Sequence, residues 1–592
     1  MKGLCSPLVL LLAISGYTGN SLADTNTFSR RALDIPSSQN FIRHRSPSVV
    51  ILGDYVYIDG GEYFQQNNGT GANATQYSSY AVNATFSLTL KESWANETVE
   101  FQSIPKTAPL LSDQVYWSNP SIRTFYTWGG KVVEPDQSPP TNELWRFNAD
   151  ISGGGAWSQA TQLDYRYFSK LRRPIGAAVT QSADVGYALG GQVTSETDGA
   201  VQKEYPGYAL TGLVSYNFRT GMWSNQSSFE FGGYGTSLNS RAEYVPFGPN
   251  GLLLFLGGAE TPVNATEESI VQLSWNKLTL HDPVTGKWYT QATKGTRPPT
   301  VERACTVGVR GPNNTYEIFI YGGASDQTGN TSADVHVLSL PGFVFFKGPN
   351  PGTPRADHAC AVIGHGKRQM LSVGGIDGGP RLRSAVTTPD PWKRGLGIFD
   401  MSDMRWVNSY DPNAAAYQSP AVVSDWYALG GMTTMVWDDI EMKELFVNSS
   451  SSTYGGADVS LPMPPDRSTD TSGIGTSNTS TIVGSAVGGA VALAAIGAIL
   501  FSVLRKRRRR ESPVPSDVVA AINEYRPEPW PKDWPRFGSV TPGTTLGPTP
   551  EPAEMSGIGR GELPGPDLEW AYELPAPTPR LRPELPDKEY TI

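Results

Sequence analysis

Cysteine is nearly missing from this chain. Three thiols serve 592 residues, and one of them, Cys5, falls in a leader segment expected to be removed. A scaffold stapled by many disulfides is thereby excluded. Histidine is also scarce, with only His44, His281, His336, His358 and His365. Basic charge is not in excess, since the net charge is −9, and a nucleic-acid partner is not expected. There is no G-x-S-x-G, no H-E-x-x-H and no phosphate-cradling glycine loop. No catalytic or cofactor-binding constellation emerges, so no cofactor is expected.

What the chain does have is glycine, 63 residues of it, placed with a period. Seven hydrophobic runs end in Gly-Gly: Gly60-Gly61, Gly129-Gly130, Gly190-Gly191, Gly257-Gly258, Gly322-Gly323, Gly374-Gly375 and Gly430-Gly431. Successive pairs are 52 to 69 residues apart, the signature of a repeated supersecondary unit. The runs before the pairs are aromatic and β-branched, as in Tyr55–Ile58, Phe125–Trp128, Leu252–Phe255, Ile318–Tyr321 and Trp426–Leu429. Such residues suit a pleated, half-buried strand, and the glycines supply backbone shapes that a Cβ forbids. A second strand follows each loop, as at Leu144–Phe147, Val335–Leu338 and Leu396–Phe399. An aromatic residue then starts a further strand in the first six units, at Trp94, Trp157, Trp223, Trp288, Phe346 and Trp406. The turn before it is plainest at Asp282–Lys287, with Asp-Pro to open and Gly286 at the left-handed position.

Each unit is therefore an antiparallel meander too small to be stable alone. Radial packing of such sheets solves that problem. The Gly-Gly and Trp spacing, with Arg355-Ala356-Asp357-His358-Ala359 opening a unit, resembles kelch repeats over roughly residues 40 to 450. The resemblance implies an all-β, kelch-type β-propeller. Seven blades are expected, with Leu445–Val447 as a strand of the seventh and the segment around Phe41–Arg43 closing it from outside; six blades with a decorated end is the alternative. The same fold is that of copper radical oxidases resembling galactose oxidase, which need a tyrosine crosslinked to cysteine, a second tyrosine and two histidines. No two histidines here have a spacing that suits copper, so no metal site is expected and the oxidase is the disfavoured alternative.

The flanks of the propeller are equally legible. Residues 1–23 read as a signal peptide, with Lys2, an apolar run from Leu8 to Ile14 and the small-residue site Ser21-Leu22-Ala23. Residues 24–448 form the expected ectodomain, and residues 449–481 a Ser/Thr-rich stalk. Ile482 to Leu504 is an uncharged apolar run long enough to span a bilayer as a transmembrane helix. The block Arg505–Arg510 after it fixes that end inside and suits anionic lipid headgroups. The tail, residues 505–592, is Pro-rich and disordered by composition. It carries Glu-Leu-Pro at Glu562, Glu573 and Glu584, read either as docking sites for Pro-motif-binding proteins or as a spacer. The whole layout resembles surface proteins of filamentous fungi, single-pass and type I.

Ten sequons agree with that topology: Asn68, Asn73, Asn83, Asn96, Asn225, Asn264, Asn313, Asn330, Asn448 and Asn478, all before the apolar run. Cys305 and Cys360 occupy similar places at the openings of neighbouring units, where either a disulfide or two buried thiols is compatible with the sequence. Asp326 and Asp377 lie in loops after Gly-Gly, where a solvated loop and a cation or sugar site compete. The reading is a cell-surface binding module whose propeller loops contact an extracellular protein or a cell-wall polysaccharide.

Overall fold

The computed structural model describes residues 40–447, except 67–76, 135–136, 204, 206, 264–268, 326–327 and 379–382. The leader, the stalk, the apolar run 482–504 and the tail lie outside the described residues. Among the described residues no helix is long and apolar enough to cross a membrane.

The repeat is built as expected through its first six units. Each contains a four-stranded antiparallel meander; five of the six sheets consist of those four strands alone, and the fifth blade adds Lys294–Gly295, parallel to Val344–Lys347. The fourth blade shows the pattern: Arg241–Val245, Leu252–Leu256, Lys277–His281 and Trp288–Ala292, in that order. The innermost strands are Ser48–Leu52, Leu111–Asn119, Ala178–Gln181, Arg241–Val245, Cys305–Arg310 and Ala359–Ile363. Each packs beside the next, and the last packs beside the first, which closes a ring. The second strand of a blade is covered on both sides, so Leu252–Leu256 is buried at every residue. The core lies between blades, as where Leu254 meets Ile318 and Ile320, or Phe319 meets Met370 and Phe399.

The Gly-Gly pairs are the joints of this ring. Both glycines of the first six pairs have positive φ. The second glycine of each pair donates its N–H to the next blade, to the carbonyls of Leu111, Pro174, Ser237, Val301, Arg355 and His44. The first glycine lies against the same residue, so a Cβ on Gly129 would meet the Pro174 oxygen at 2.5 Å. Close backbone approach, more than turn flexibility, is what the motif provides.

The seventh pair departs from the pattern, and this corrects the seven-blade reading. Ala421–Ala428 is helical, so Trp426–Leu429 is not a strand, and Gly431 opens a short 3-10 turn. Leu445–Val447 belongs to a second helix, Ile440–Val447. Pro420 begins the first helix, where its missing N–H costs nothing. Phe41–Arg45 closes no outer edge either; it pairs with Glu62–Gln66, which pairs with Tyr77–Ala81 in a separate three-stranded sheet. Trp94 is a further correction. It lies in a two-residue strand against Ser409–Tyr410, while the outer strand of the first blade is Gln102–Pro105.

The segment after the sixth blade lies along the face that carries the hairpin turns. Gly248 donates to Leu445, Tyr289 bonds Glu441, and Phe446 stacks on Phe247 at 4.5 Å. The opposite face carries the Gly-Gly pairs and the long connections between second and third strands.

Candidate binding site at the channel mouth

On the Gly-Gly face each innermost strand carries one left-handed residue at its entry, just before the strand at Ser46, Gly176, Asn239, Arg303 and Asp357 and as the third residue of Leu111–Asn119 at Asp113, with φ between 49° and 63°. Asn and Asp tolerate that conformation better than most residues. The six are stitched around the axis. Ser46 N–H donates to the Asp357 carbonyl at 2.8 Å, Asp357 to Arg303 at 3.2 Å, Arg303 to Asn239 at 3.1 Å and Asn239 to Gly176 at 2.7 Å. Gly176 N–H turns to the Asp113 carboxylate at 3.1 Å instead.

Below this rim the channel holds a cavity of about 330 Å³. Its wall is charged. Arg45 contacts Asp357 at 3.1 Å, and Arg303 contacts the other oxygen at 3.5 Å. Burial pushes the Asp357 carboxyl up, but Arg45 and Arg303 outweigh it and hold the group below the ordinary carboxylate range. Burial pushes Asp113 up, helped by Asp357. Glu243, half-buried in the wall, is pushed up to about 7 by burial against the pull of Thr306. Carboxylates pushed in opposite directions within one wall suit recognition of a polar ligand.

Cys305 and Cys360 lie in the same wall and form a disulfide, with Cα atoms 5.6 Å apart. They are not equivalent residues. Cys305 pairs with Tyr321, next to Gly322, whereas the residue pairing next to Gly374 is Ala359, and Cys360 pairs with Ser372. The one-residue offset explains the contact. Equivalent side chains on adjacent inner strands point the same way around the ring, and a slip of one residue turns Cys360 back toward Cys305.

His358 sits beside them, 2% exposed, with its ring edge-on to Tyr321 at 5.0 Å. The sulfurs and a His358 nitrogen lie within 4.8 Å of one another, and this is the only group of three metal-capable side chains among the described residues. The other histidines are elsewhere. His44 stacks on Tyr63 at 4.1 Å, His281 lies tilted against Trp288 with ring centroids 4.3 Å apart, His336 is buried in its strand, and His365 is exposed near Asp54.

The sequons divide by environment. Asn225, Asn313 and Asn330 are exposed, and Asn83 is half-buried. Asn96 is 8% exposed with its amide donating to Leu396 O at 3.2 Å, so it presents no free acceptor for a glycan. Asn68, Asn73, Asn264, Asn448 and Asn478 lie outside the described residues, as does Asp326. Asp377 is exposed.

Asp113, Arg241 and Glu243 are channel residues that sequence reasoning missed. The signal for Asp113 was present, because the left-handed residues recur with the same period as Gly-Gly. Their conformation is what the residue names hide: only Asp, Asn and Gly among them hint at it.

No family model matches the chain. A curated relative, a kelch repeat-containing protein of Arthroderma benhamiae, is 22% identical over 445 residues, spanning 68% of this chain and 62% of the relative. The chain thus spans less than two thirds of that relative's length. The solved structure of YjhT aligns with 62% of this chain and 97% of its own at 13% identity, with a TM-score of 0.41. The six repeated sheets and the curated relative together support a kelch-repeat β-propeller, a fold that serves as an interaction module and does not by itself name a ligand.

Proposed function

We propose that the chain is a single-pass surface protein whose propeller binds an extracellular partner, a protein or a cell-wall polysaccharide, on its Gly-Gly face. The observation that carries this is an apolar patch on adjoining loops of the third and fourth blades. Phe229 is 77% exposed, Tyr234 42%, Val263 38% and Val271 49%. Their loops are joined by the Thr211–Thr236 and Leu238–Ala259 bridges and by Ala209 N–H to Val263 O. Exposed rings on the loops of this face suit stacking on a sugar face or anchoring in a protein interface. The hairpin-turn face is covered in part by residues 411–447, which leaves the loop face for recognition.

The run Ile482 to Leu504, the Arg505–Arg510 block and the sequons support the membrane topology, with the tail inside as a docking segment. No reaction is assigned. Copper content of the purified chain, with peroxide release on sugars, tests the oxidase alternative.

The test of binding uses the purified full chain against arrays of glycans and of secreted proteins. Phe229→Ala with Tyr234→Ala is expected to weaken the captured interaction by about tenfold or more with the melting temperature unchanged. Equal binding by the variant and the parent overturns the assignment of this face.

A further inference from the structure

Both ring nitrogens of His358 are buried and neither makes a well-aligned hydrogen bond, although the Tyr321 main chain lies close to the ring. A buried imidazole so weakly partnered is costly, and such a group calls for an explanation. Its surroundings keep it in place. A Cβ on Gly322 would meet the His358 Cε1 at 2.9 Å, and one on Gly375 would meet its Cβ at 2.9 Å, so two of the repeat's glycines make the room it occupies. An imidazole is a metal ligand through either of its ring nitrogens.

Its nearest potential co-ligands are the sulfurs of Cys305 and Cys360. We propose that Cys305, His358 and Cys360 form a redox-gated site for a thiophilic metal ion, closed as the disulfide and open as the dithiol. The sulfurs need to part to about 3.8 Å, the spacing that two Zn–S bonds of about 2.3 Å span at a tetrahedral angle. A Cα separation of 5.6 Å accommodates that without moving either strand far. Two thiolates and one neutral imidazole form a soft donor set that favours Zn²⁺ or Cu⁺ over harder ions. The two negative charges balance Zn²⁺, which matters beside Arg241 and Arg355. All three residues line the channel cavity, from which water or a small ligand would complete the shell.

The chemistry balances with a dithiol reductant. Exchange moves the disulfide to the reductant and leaves Cys305 and Cys360 as thiols. Binding of Zn²⁺ then forms two Zn–S bonds and releases two protons to solvent. The oxidised protein has no thiolates to offer and so no affinity. This inference does not rest on the surface reading above, since it concerns the channel wall alone.

The experiment uses the full chain carrying Cys5→Ser, so that only two cysteines remain. One portion stays oxidised; the other is reduced with dithiothreitol and desalted without oxygen. Both are titrated with Zn²⁺ against a chromophoric chelator, and with Co²⁺ for thiolate-to-metal charge-transfer absorption. One Zn²⁺ per reduced chain and none per oxidised chain is the expected result. His358→Gln is expected to weaken binding by about tenfold or more while both thiols still titrate. Circular dichroism of the reduced chain shows whether the propeller survives. Absence of stoichiometric Zn²⁺ in a folded reduced chain, equal affinity in His358→Gln, or loss of the fold on reduction each overturns the site.

Discussion

Gly375 donates its backbone N–H to the carbonyl of His44, which joins the last blade to the first. This bond repeats the one that Gly61, Gly130, Gly191, Gly258 and Gly323 make to the blade that follows each of them. The ring therefore closes by the same joint that builds it. Among the described residues each of these two blades takes its four strands from its own segment, and the short pairing of Ser409–Tyr410 with Trp94–Ala95 is a strand contact between them. Closure is reinforced outside the joint, where Tyr410 OH donates to Leu90 O at 3.0 Å and Arg394 to Val99 O at 2.8 Å.

The joint makes a prediction about alanine. At Gly375, φ is +104°, and a Cβ would lie 2.5 Å from Arg355 Cγ and 2.9 Å from the Ala356 carbonyl. At Gly286, φ is +77° with no atom within 4 Å. Gly286→Ala is expected to cost about 1 kcal/mol, the backbone strain alone. Gly375→Ala adds a steric clash at the closure and is expected to cost about 3 kcal/mol or more. Urea unfolding of the two variants separates them. Equal costs would mean that the joint is not a close contact.

Six of the seven Gly-Gly pairs announced this architecture in the sequence, because the joint requires two residues without side chains in the same place each time. The seventh pair misled. Trp426–Leu429 is as apolar as any strand in the repeat, yet Tyr427 anchors it as a helix by bonding Ser339 and the Gly342 N–H. Four apolar residues before a glycine are too short a run to tell helix from strand. The channel was less legible still. Arg303 carries a left-handed conformation that its residue type does not advertise. The disulfide depended on a one-residue offset that only the strand register reveals.

A buried ion cluster offers a second prediction. Asp390 takes both nitrogens of Arg355 at 2.8 Å, and Arg43 lies 3.6 Å away. All three side chains are essentially sealed from solvent, and Arg355 also lies over the Trp392 ring at 4.1 Å. Asp390→Asn leaves two buried guanidiniums without their anion and is expected to cost about 3–5 kcal/mol. Adding Arg355→Met to that change should recover part of the loss. A double-mutant cycle measured by thermal unfolding checks the sign of the coupling.

The channel carboxylate predicts a pH dependence. Glu243 has its folded value raised from 4.5 to about 7 by burial. It binds its proton more tightly folded than unfolded. Its favourable contribution is thus complete below 4.5 and lost as pH rises through about 7. His44, His281 and His336 run the other way, because folded values lowered from 6.5 to about 4 cost stability as pH falls across that window. The two trends overlap, so the test is a difference. The stability of the parent relative to Glu243→Gln should fall by about 3 kcal/mol at most on going from acid to neutral pH. A flat difference shows that Glu243 is ionised at the ordinary carboxylate value.

Glycan mapping tests the topology and the local environments together. If the ectodomain passes through a secretory route, Asn225, Asn313 and Asn330 are expected to carry glycans, because each is exposed. Asn96 is expected to be bare. Its Nδ2 is committed to Leu396 O, and a sugar there would have to open the contact that ties the first blade to the sixth. Enzymatic deglycosylation in heavy-isotope water followed by peptide mass spectrometry reads each site as a mass shift. A modified Asn96 in folded protein contradicts the packing around Trp94 and Tyr410, whose rings lie 5.3 Å apart beside it. An entirely unmodified chain from a glycosylating host contradicts the extracellular placement of the propeller.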